Sequence, residues 1–291
     1  MKNALCVGVN KFLSVGEDLK GCVNDANKWR DVLVDLGFNV TLLLDEQATK
    51  ANILKHLNVL RNTSVFGDEV VYINSSHGTK LLDKNGDEED GYDEALYVYD
   101  GAIRDDDLRV IFNGFNLGVH LTVIFDTCFS KSATRVVKTE EKYRKPRFIE
   151  TDKIKKSFPL KKKLLSGLEE EMTEVFISAC GENESAYDAF IDGEYQGAFS
   201  AFARDVFKKG QSFNEFYTEL IKCLPNSYFP QTPSLEGKEE NKKKTMFINE
   251  TSMPEPEPEE VVPDKTKIRN IIYGIIFVLA LAAMAIANIL R

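Results

Sequence analysis

Residues 69–79 read EVVYINSSHGT, an apolar run that ends in two serines, a histidine and a glycine. Residues 121–128 read LTVIFDTC, a second apolar run that ends in Asp126 and Cys128. Both runs are rich in β-branched and aromatic residues, a composition typical of buried strands in a parallel sheet. Since the carboxyl ends of parallel strands meet at one edge of a sheet, we expect His77 and Cys128 to lie together there.

The segments around these two runs alternate between strand and helix patterns, which predicts an α/β fold. Right-handed crossovers would give an open, mostly parallel six-stranded sheet with helices on both faces. The predicted strands are residues 4–9, 40–44, 69–74, 121–125, 174–179 and 232–235. The predicted helices are residues 22–36, 53–60, 108–112, 198–207 and 213–223.

A histidine and a cysteine at one sheet edge indicate nucleophilic catalysis. The thiolate is the reactive form of cysteine, and an imidazole within hydrogen-bonding distance is the usual base that generates it. Gly78 lets a substrate backbone approach closely, and its N–H together with that of Cys128 would stabilise an oxyanion. The alternative is that Cys128 is a small buried residue and His77 a hydrogen-bonded turn histidine.

Several motifs around these residues resemble the caspase clan of cysteine peptidases, and specifically a metacaspase of type I. The resemblance covers roughly residues 3–236. It is carried by GCVNDA (21–26), SSHGT (75–79), GDEEDGYD (86–93), IRDDDL (103–108), LTVIFDTC (121–128), ISAC (177–180) and QTP (231–233). It implies a caspase-like fold and a cysteine endopeptidase in which His77 assists the thiolate of Cys128 in attacking a peptide carbonyl.

The resemblance also implies an acidic substrate pocket. Asp126 lies two residues before the nucleophile, the matching segment supplies Asp25, and Cys22 and Ser75 would line the same pocket. Two carboxylates would bind a guanidinium or ammonium group and repel an aspartate, so we expect cleavage after Arg or Lys. The alternative for Asp25 is a solvated carboxylate in the first turn of a helix.

Residues 83–107 hold 11 acidic and 2 basic residues, a net charge of −9. Metacaspases are similar in binding calcium through aspartates, and the matching positions are Asp93, Asp105 and Asp106. A fourth ligand position falls on Arg135, which removes one carboxylate and adds a positive charge. The resemblance therefore implies that calcium activates the enzyme through a site with weakened affinity. It implies no organic cofactor. The alternative is a solvated acidic loop.

Three positions depart from the family pattern. Phe129 and Lys131 replace a histidine and a glycine just after the nucleophile, and Ser76 replaces the glycine that commonly precedes the catalytic histidine. Phe129, Lys131 and Arg135 motivate the alternative function, a catalytically inactive caspase-like adaptor or regulatory binding module at a membrane. Retention of a thiol, an imidazole and an acidic pocket favours the enzyme.

Residues 131–165 carry 13 basic and 4 acidic residues, a net charge of +9. Their length and charge are typical of a solvated loop. Family members resemble this chain in having a loop here that can be cut, so we expect self-cleavage after Arg147, Lys156 or Lys163. Lys145 is disfavoured because Pro146 follows it.

The chain of 291 residues has a net charge of −9, which argues against nucleic acid as the main partner. The expected partners are protein or peptide substrates with Arg or Lys at the cleavage site. Five widely spaced cysteines, without a CxxC pair, disfavour a disulfide framework or a zinc site. This cysteine usage is typical of a reducing compartment.

Residues 271–290, from Ile271 to Leu290, contain no charge and are long enough for a transmembrane helix in a lipid bilayer. Basic residues precede them, so a single-pass anchor with the peptidase domain facing the cytoplasm is expected. The predicted organisation is a peptidase domain (1–236) with a large portion (1–130), a basic loop (131–165) and a small portion (166–236), then an acidic Pro/Glu-rich linker (237–268) and the anchor (269–291).

Overall fold

A six-stranded sheet lies at the centre of the protein in a computed structural model, which describes residues 1–13, 16–84, 91–129, 143–150, 172–181 and 184–247. With strands numbered in chain order, the sheet contains β1 (Lys2–Gly8), β2 (Asn39–Leu44), β3 (Glu69–Ser75), β7 (His120–Asp126), β9 (Glu174–Ser178) and β12 (Ser234–Glu236). Their order is β12-β9-β7-β3-β1-β2, and only β12 runs antiparallel to its neighbour. The predicted mostly parallel six-stranded sheet is confirmed.

The alternation of side chains along β3 explains why this segment is an unbroken apolar run. Val70 and Tyr72 pack into the core on one face of the sheet, whereas Val71 and Ile73 pack into the core on the other. A strand that is buried on both faces has no position that favours a solvated side chain. Ser75 of β3 pairs with Asp126 of β7, so the residues that follow both strands emerge side by side.

Helices cover both faces of the sheet, as predicted. Helices α1 (Cys22–Asp35), α4 (Ala198–Val206) and α5 (Phe213–Cys223) contribute to one core, and α2 (Lys50–Thr63) and α3 (Asp105–Phe112) contribute to the other. Trp29 and Phe216 are fully buried in the first core, and Ile53 and Phe112 in the second. The hydrophobic effect of these two layers holds the sheet between them.

Two small antiparallel sheets were not predicted from the sequence. One contains β4 (His77–Leu82), β5 (Tyr92–Val98) and β6 (Gly101–Arg104), and the other contains β8 (Arg144–Pro146), β10 (Tyr187–Ile191) and β11 (Glu194–Gly197). These strands mix polar and charged residues with apolar ones, and β8 lies inside the segment predicted to be a solvated loop. His77 therefore begins a new strand, instead of occupying a turn after β3.

The packed unit continues past residue 236, where the sequence placed the end of the peptidase domain. A short helix, α6 (Glu239–Lys242), follows β12, and Met246 and Phe247 are fully buried. The Phe247 ring packs against the rings of Trp29 and Phe38. Residues 237–247 thus belong to the core instead of starting a linker. The rest of the predicted linker and the predicted anchor lie outside the described residues, within which no helix is long and apolar enough to cross a membrane.

Candidate active site

The backbone at Gly78 and the backbone at Cys128 are in direct contact at the carboxyl edge of the sheet. A Cβ atom built on Gly78 would lie 1.9 Å from the carbonyl oxygen of Cys128. Any side chain at position 78 would therefore force the segments that follow β3 and β7 apart. This close approach fixes His77 and Cys128 at the same edge, where the sequence predicted them to meet.

His77 is fully buried, and its ring is oriented by the main chain. Nε2 lies 2.7 Å from the carbonyl oxygen of Glu17. Because a carbonyl oxygen only accepts, Nε2 must carry the proton and Nδ1 must hold the lone pair. Nδ1 has no hydrogen-bond partner among the described residues. Burial lowers the pKa of His77 to about 4, so the imidazole is neutral at neutral pH and Nδ1 is available as a base.

Cys128 is fully buried as well, and it is protonated in this arrangement. Burial raises the pKa of its thiol to about 12, and the opposing effects of a backbone hydrogen bond and the Arg147 charge are smaller. The next residue, Phe129, is buried in the core and lies against Gly78. The first departure from the family pattern therefore places a packing residue behind the site and leaves the backbone of the nucleophile intact.

Both predicted oxyanion donors point at one carbonyl group, which belongs to the chain itself. The Gly78 N–H donates to the Arg147 carbonyl oxygen at 2.8 Å, and the Cys128 N–H donates to the same oxygen at 3.4 Å. On the other side of this carbonyl, the Ile149 N–H donates to the Gly78 carbonyl oxygen at 2.9 Å. Hydrogen bonds with the Gly78 backbone therefore hold the chain on both sides of the Arg147–Phe148 peptide bond.

The Arg147 guanidinium fills an acidic pocket and is fully buried there. Its Nη2 atom lies 2.7 Å from Asp25 and 2.9 Å from Asp188. Its Nη1 atom lies 2.7 Å from the Ser75 hydroxyl and 3.1 Å from a carboxylate oxygen of Asp126. The fork of donors on a guanidinium suits several acceptors at once. The pocket residues predicted from the sequence are therefore assembled around an arginine.

Backbone N–H groups hold two of the pocket carboxylates in position. Asp25 accepts a hydrogen bond from the Gly197 N–H at 3.0 Å, and Asp126 accepts one from the Ser200 N–H at 3.0 Å. Cys22 is fully buried, which raises the pKa of its thiol, and the Arg147 charge and a hydrogen bond with Ser75 oppose this rise. Each carboxylate is thus fixed by the small portion of the domain as well as by its own strand or helix.

Asp188 is a third pocket carboxylate that the sequence did not identify. It lies on β10, and it accepts hydrogen bonds from the Lys20 N–H and the Gly21 N–H, each at 2.9 Å. The only indication of Asp188 in the sequence was its position in the short stretch Tyr187–Ile191. That run contacts the pocket because of its pairing with β8, which joins residues about 40 positions apart.

The predicted calcium ligands are not assembled into a metal site. Asp93 forms a buried ion pair with Arg104, so a cation already neutralises its carboxylate. Asp105 and Asp106 begin α3, where the helix dipole favours carboxylates. In the part of the chain that is described, no group of three or more His, Cys, Asp or Glu side chains could hold a metal ion. Calcium dependence stays a prediction, because residues 85–90 and Arg135 lie outside the described part.

Of the three candidate self-cleavage residues, Arg147 belongs to the described part of the chain. Arg147 occupies the pocket, whereas Lys156 and Lys163 lie outside the described residues. The sequence suggested all three, because each is a basic residue in the same segment. Only the contacts of the pocket distinguish Arg147 from the others.

A family model described as the metacaspase peptidase C14 domain matches residues 2–137. Metacaspase-1A of Aspergillus oryzae is 39% identical over 147 residues, which are 45% of this chain and 35% of that protein. Metacaspase-1 of Emericella nidulans is 37% identical over 147 residues, 45% of this chain and 36% of that protein. The chain spans about a third of the length of the curated relatives it matches. These similarities support a cysteine-type peptidase.

Two solved structures share the fold. A Geobacter sulfurreducens protein, solved as a structural genomics target, has a TM-score of 0.65 and 24% identity, with 86% of this chain and 99% of that chain covered. Caspase-1 from Spodoptera frugiperda has a TM-score of 0.55 and 11% identity, with 81% of this chain and 85% of that chain covered. The caspase-like fold expected from the sequence motifs is therefore confirmed.

Proposed function

We propose that the protein is a cysteine endopeptidase that cuts after Arg or Lys with His77 and Cys128, and that its first substrate is its own Arg147–Phe148 bond. One observation carries this proposal. The Arg147 side chain fills the acidic pocket while its carbonyl oxygen accepts hydrogen bonds from the N–H groups of Gly78 and Cys128. A peptidase substrate must meet both conditions at once.

The proposed reaction uses the groups at the sheet edge in two steps. Nδ1 of His77 accepts the thiol proton, and the sulfur of Cys128 attacks the carbonyl carbon of the residue in the pocket. The carbonyl electron pair moves to oxygen, where the two N–H donors stabilise it. Collapse breaks the C–N bond, and the imidazolium gives its proton to the departing amine. Water then hydrolyses the thioester, which releases the acid and restores the thiol.

The same arrangement explains how an uncut bond persists beside the nucleophile. Burial raises the pKa of the Cys128 thiol to about 12 and lowers the pKa of His77 to about 4. Proton transfer from such a thiol to such an imidazole is strongly unfavourable at neutral pH. We infer that cleavage at the occupied site is slow, and that it proceeds when water enters and brings the two pKa values closer together.

The pocket favours arginine over lysine. The two Nη atoms of the guanidinium reach Asp25, Asp126 and Asp188 together with the Ser75 hydroxyl. A lysine ammonium carries its three donors on one nitrogen, so it cannot reach acceptors as far apart as those that two separate Nη atoms contact. We therefore propose arginine as the preferred residue and lysine as a weaker one.

The alternative of an inactive binding module receives less support. Phe129, which motivated it, is a buried packing residue, and both oxyanion donors are correctly aimed. We also propose that residues 271–290 anchor the chain in a bilayer with the peptidase domain on the cytoplasmic side. The support is the uncharged length of this stretch and the basic residues before it.

Matched fluorogenic peptides that end in Arg, Lys or Asp test the activity. We expect the full chain to release fluorophore from the Arg peptide fastest, from the Lys peptide more slowly and from the Asp peptide not at all. Cys128→Ala should abolish release because no other group can form the thioester. Turnover of the Asp peptide, or turnover that survives in Cys128→Ala, contradicts the proposal.

The pocket should lose affinity for arginine in mild acid. Burial raises the pKa of Asp126 to about 6, an effect that Arg147 opposes and Asp25 reinforces. A carboxyl group pairs with a guanidinium only when it is ionised, so binding weakens as pH falls through this value. We expect KM for the Arg peptide to rise about 10-fold from pH 7 to pH 5. The same profile should be flat in Asp126→Asn, and a flat profile in the parent enzyme contradicts this role.

A further inference from the structure

The chain on the amino side of Arg147 binds as an added strand. Residues Arg144–Pro146 pair antiparallel with β10, in the register Pro146 with Tyr187, Lys145 with Asp188 and Arg144 with Ala189. The Arg147 N–H extends this pairing to the Ala186 carbonyl oxygen at 2.9 Å. Strand addition of this kind fixes the backbone of a bound peptide and presents its side chains alternately to the two sides.

The side chain three residues before Arg147 lies between two tyrosine rings. The Arg144 guanidinium carbon is 5.2 Å from the ring centroid of Tyr187 and 5.2 Å from that of Tyr228. Nη1 of Arg144 also donates a hydrogen bond to the Tyr228 carbonyl oxygen. A cation within about 6 Å of a ring centroid is attracted by the π face, so both rings contribute.

The two rings are supported from behind. The Phe229 ring packs against the Tyr228 ring at 5.1 Å and against the Tyr187 ring at 6.3 Å. Tyr187 and Phe229 are buried, whereas Tyr228 is 45% exposed and forms the outer wall. Tyr187 and Tyr228 therefore form an aromatic cage, which is built into the fold at the start of β10 and in the loop before β12.

The neighbouring basic residue makes a weaker contact. Nζ of Lys145 lies 2.8 Å from a carboxylate oxygen of Glu17, but both side chains are substantially exposed. Exposed ion pairs contribute little because solvent screens them. Selectivity beyond the acidic pocket should therefore depend mainly on the residue in the aromatic cage.

We propose that Tyr187, Tyr228 and the Tyr228 carbonyl oxygen form a second specificity subsite, which binds a guanidinium on the fourth residue before the cleaved bond. This inference rests on the proposed function. The preferred substrates are then peptides with two arginines separated by two residues, the second of which enters the acidic pocket. A flat, delocalised cation suits the cage because it stacks on both rings and still donates to the carbonyl oxygen.

Three peptides of the form X-Lys-Pro-Arg, with Arg, citrulline or norleucine at X, test the subsite on the full chain. Citrulline keeps the shape of arginine without its charge, and norleucine keeps the aliphatic stem. We expect kcat/KM to be about 10-fold higher for Arg than for either neutral residue. Tyr228→Leu should reduce this ratio below about 3-fold, whereas Phe66→Leu, which changes an exposed aromatic residue before β3, should preserve it. Equal kcat/KM values for Arg and norleucine overturn the proposal.

A binding measurement separates failure of the subsite from failure of the proposed function. The full chain with Cys128→Ala, Arg144→Gln and Arg147→Gln can neither cut a peptide nor place its own arginines in the acidic pocket and the aromatic cage. We expect this variant to bind the Arg peptide about 10-fold more tightly than the norleucine peptide, even if the parent chain cuts neither. Equal dissociation constants, or no binding of either peptide, overturn the subsite.

Discussion

Asp25→Asn is expected to lower kcat/KM for an Arg peptide by about 10²-fold. Asp25 is fully buried, and one of its carboxylate oxygens accepts from both the arginine guanidinium and the Ser75 hydroxyl. Removing one partner of a buried ion pair costs about 3–5 kcal/mol, and the lower end of this range applies here because Asp126 and Asp188 still pair with the guanidinium. At about 1.4 kcal/mol per factor of ten, this cost corresponds to the expected loss. The measurement is steady-state kinetics on the fluorogenic Arg peptide.

Two controls make the Asp25→Asn result specific. Glu194→Gln removes a partly exposed carboxylate that pairs with Lys28, and it should leave kcat/KM within about 3-fold. Thermal unfolding of both variants reports whether the substituted chain is folded. A folded Asp25→Asn enzyme that cuts the Arg peptide at the parent rate contradicts the assignment of the pocket.

Arg147→Gln is expected to raise the rate of Cys128 alkylation by iodoacetamide at least 10-fold. In the parent chain the segment around Arg147 covers the nucleophile, which is fully buried and has a thiol pKa of about 12. Glutamine cannot pair with Asp25, Asp126 and Asp188, so three buried carboxylates would lose the cation that they share, although Arg204 lies 3.8 Å from Asp25. The segment should then leave the site, admit water and restore the thiol pKa toward its ordinary value of about 9.

Peptide mapping by mass spectrometry gives the alkylation rate of each cysteine in one sample. Cys223 is partly exposed and far from the pocket in the sequence, so its rate serves as an internal standard that should not change. Lys208→Gln, on the loop after α4, is a matched control for loss of a positive charge. If Cys128 labels equally fast in the parent chain and in Arg147→Gln, the segment does not cover the nucleophile.

The parts of the fold that the sequence predicted correctly are those with strong local patterns. The apolar run of β3 and the similar run of β7 are buried on both faces, so their composition alone identified the central strands. Their carboxyl ends then brought His77 and Cys128 together, because parallel neighbours share an edge. This inference needed no contact information beyond strand direction.

The parts that could not be predicted depend on long-range pairing. The short strand β8 gains its structure from β10, and the placement of Arg147 depends on carboxylates at positions 25, 126 and 188. A net charge of +9 on residues 131–165 gave no reason to select one basic residue over the others. The burial of Phe247 was missed for the same reason, since its partners Trp29 and Phe38 lie about 200 residues away.

The most direct test of the account is the identity of the first new chain end formed by the full protein. Purified full chain is incubated at neutral pH, and its fragments are identified by intact mass and by amino-terminal sequencing, alongside Cys128→Ala and Arg147→Gln. We expect a fragment that begins at Phe148 in the parent chain and is absent from both variants. A parent chain that stays uncut between Arg147 and Phe148, or a cut at this bond that persists in Cys128→Ala, would contradict it.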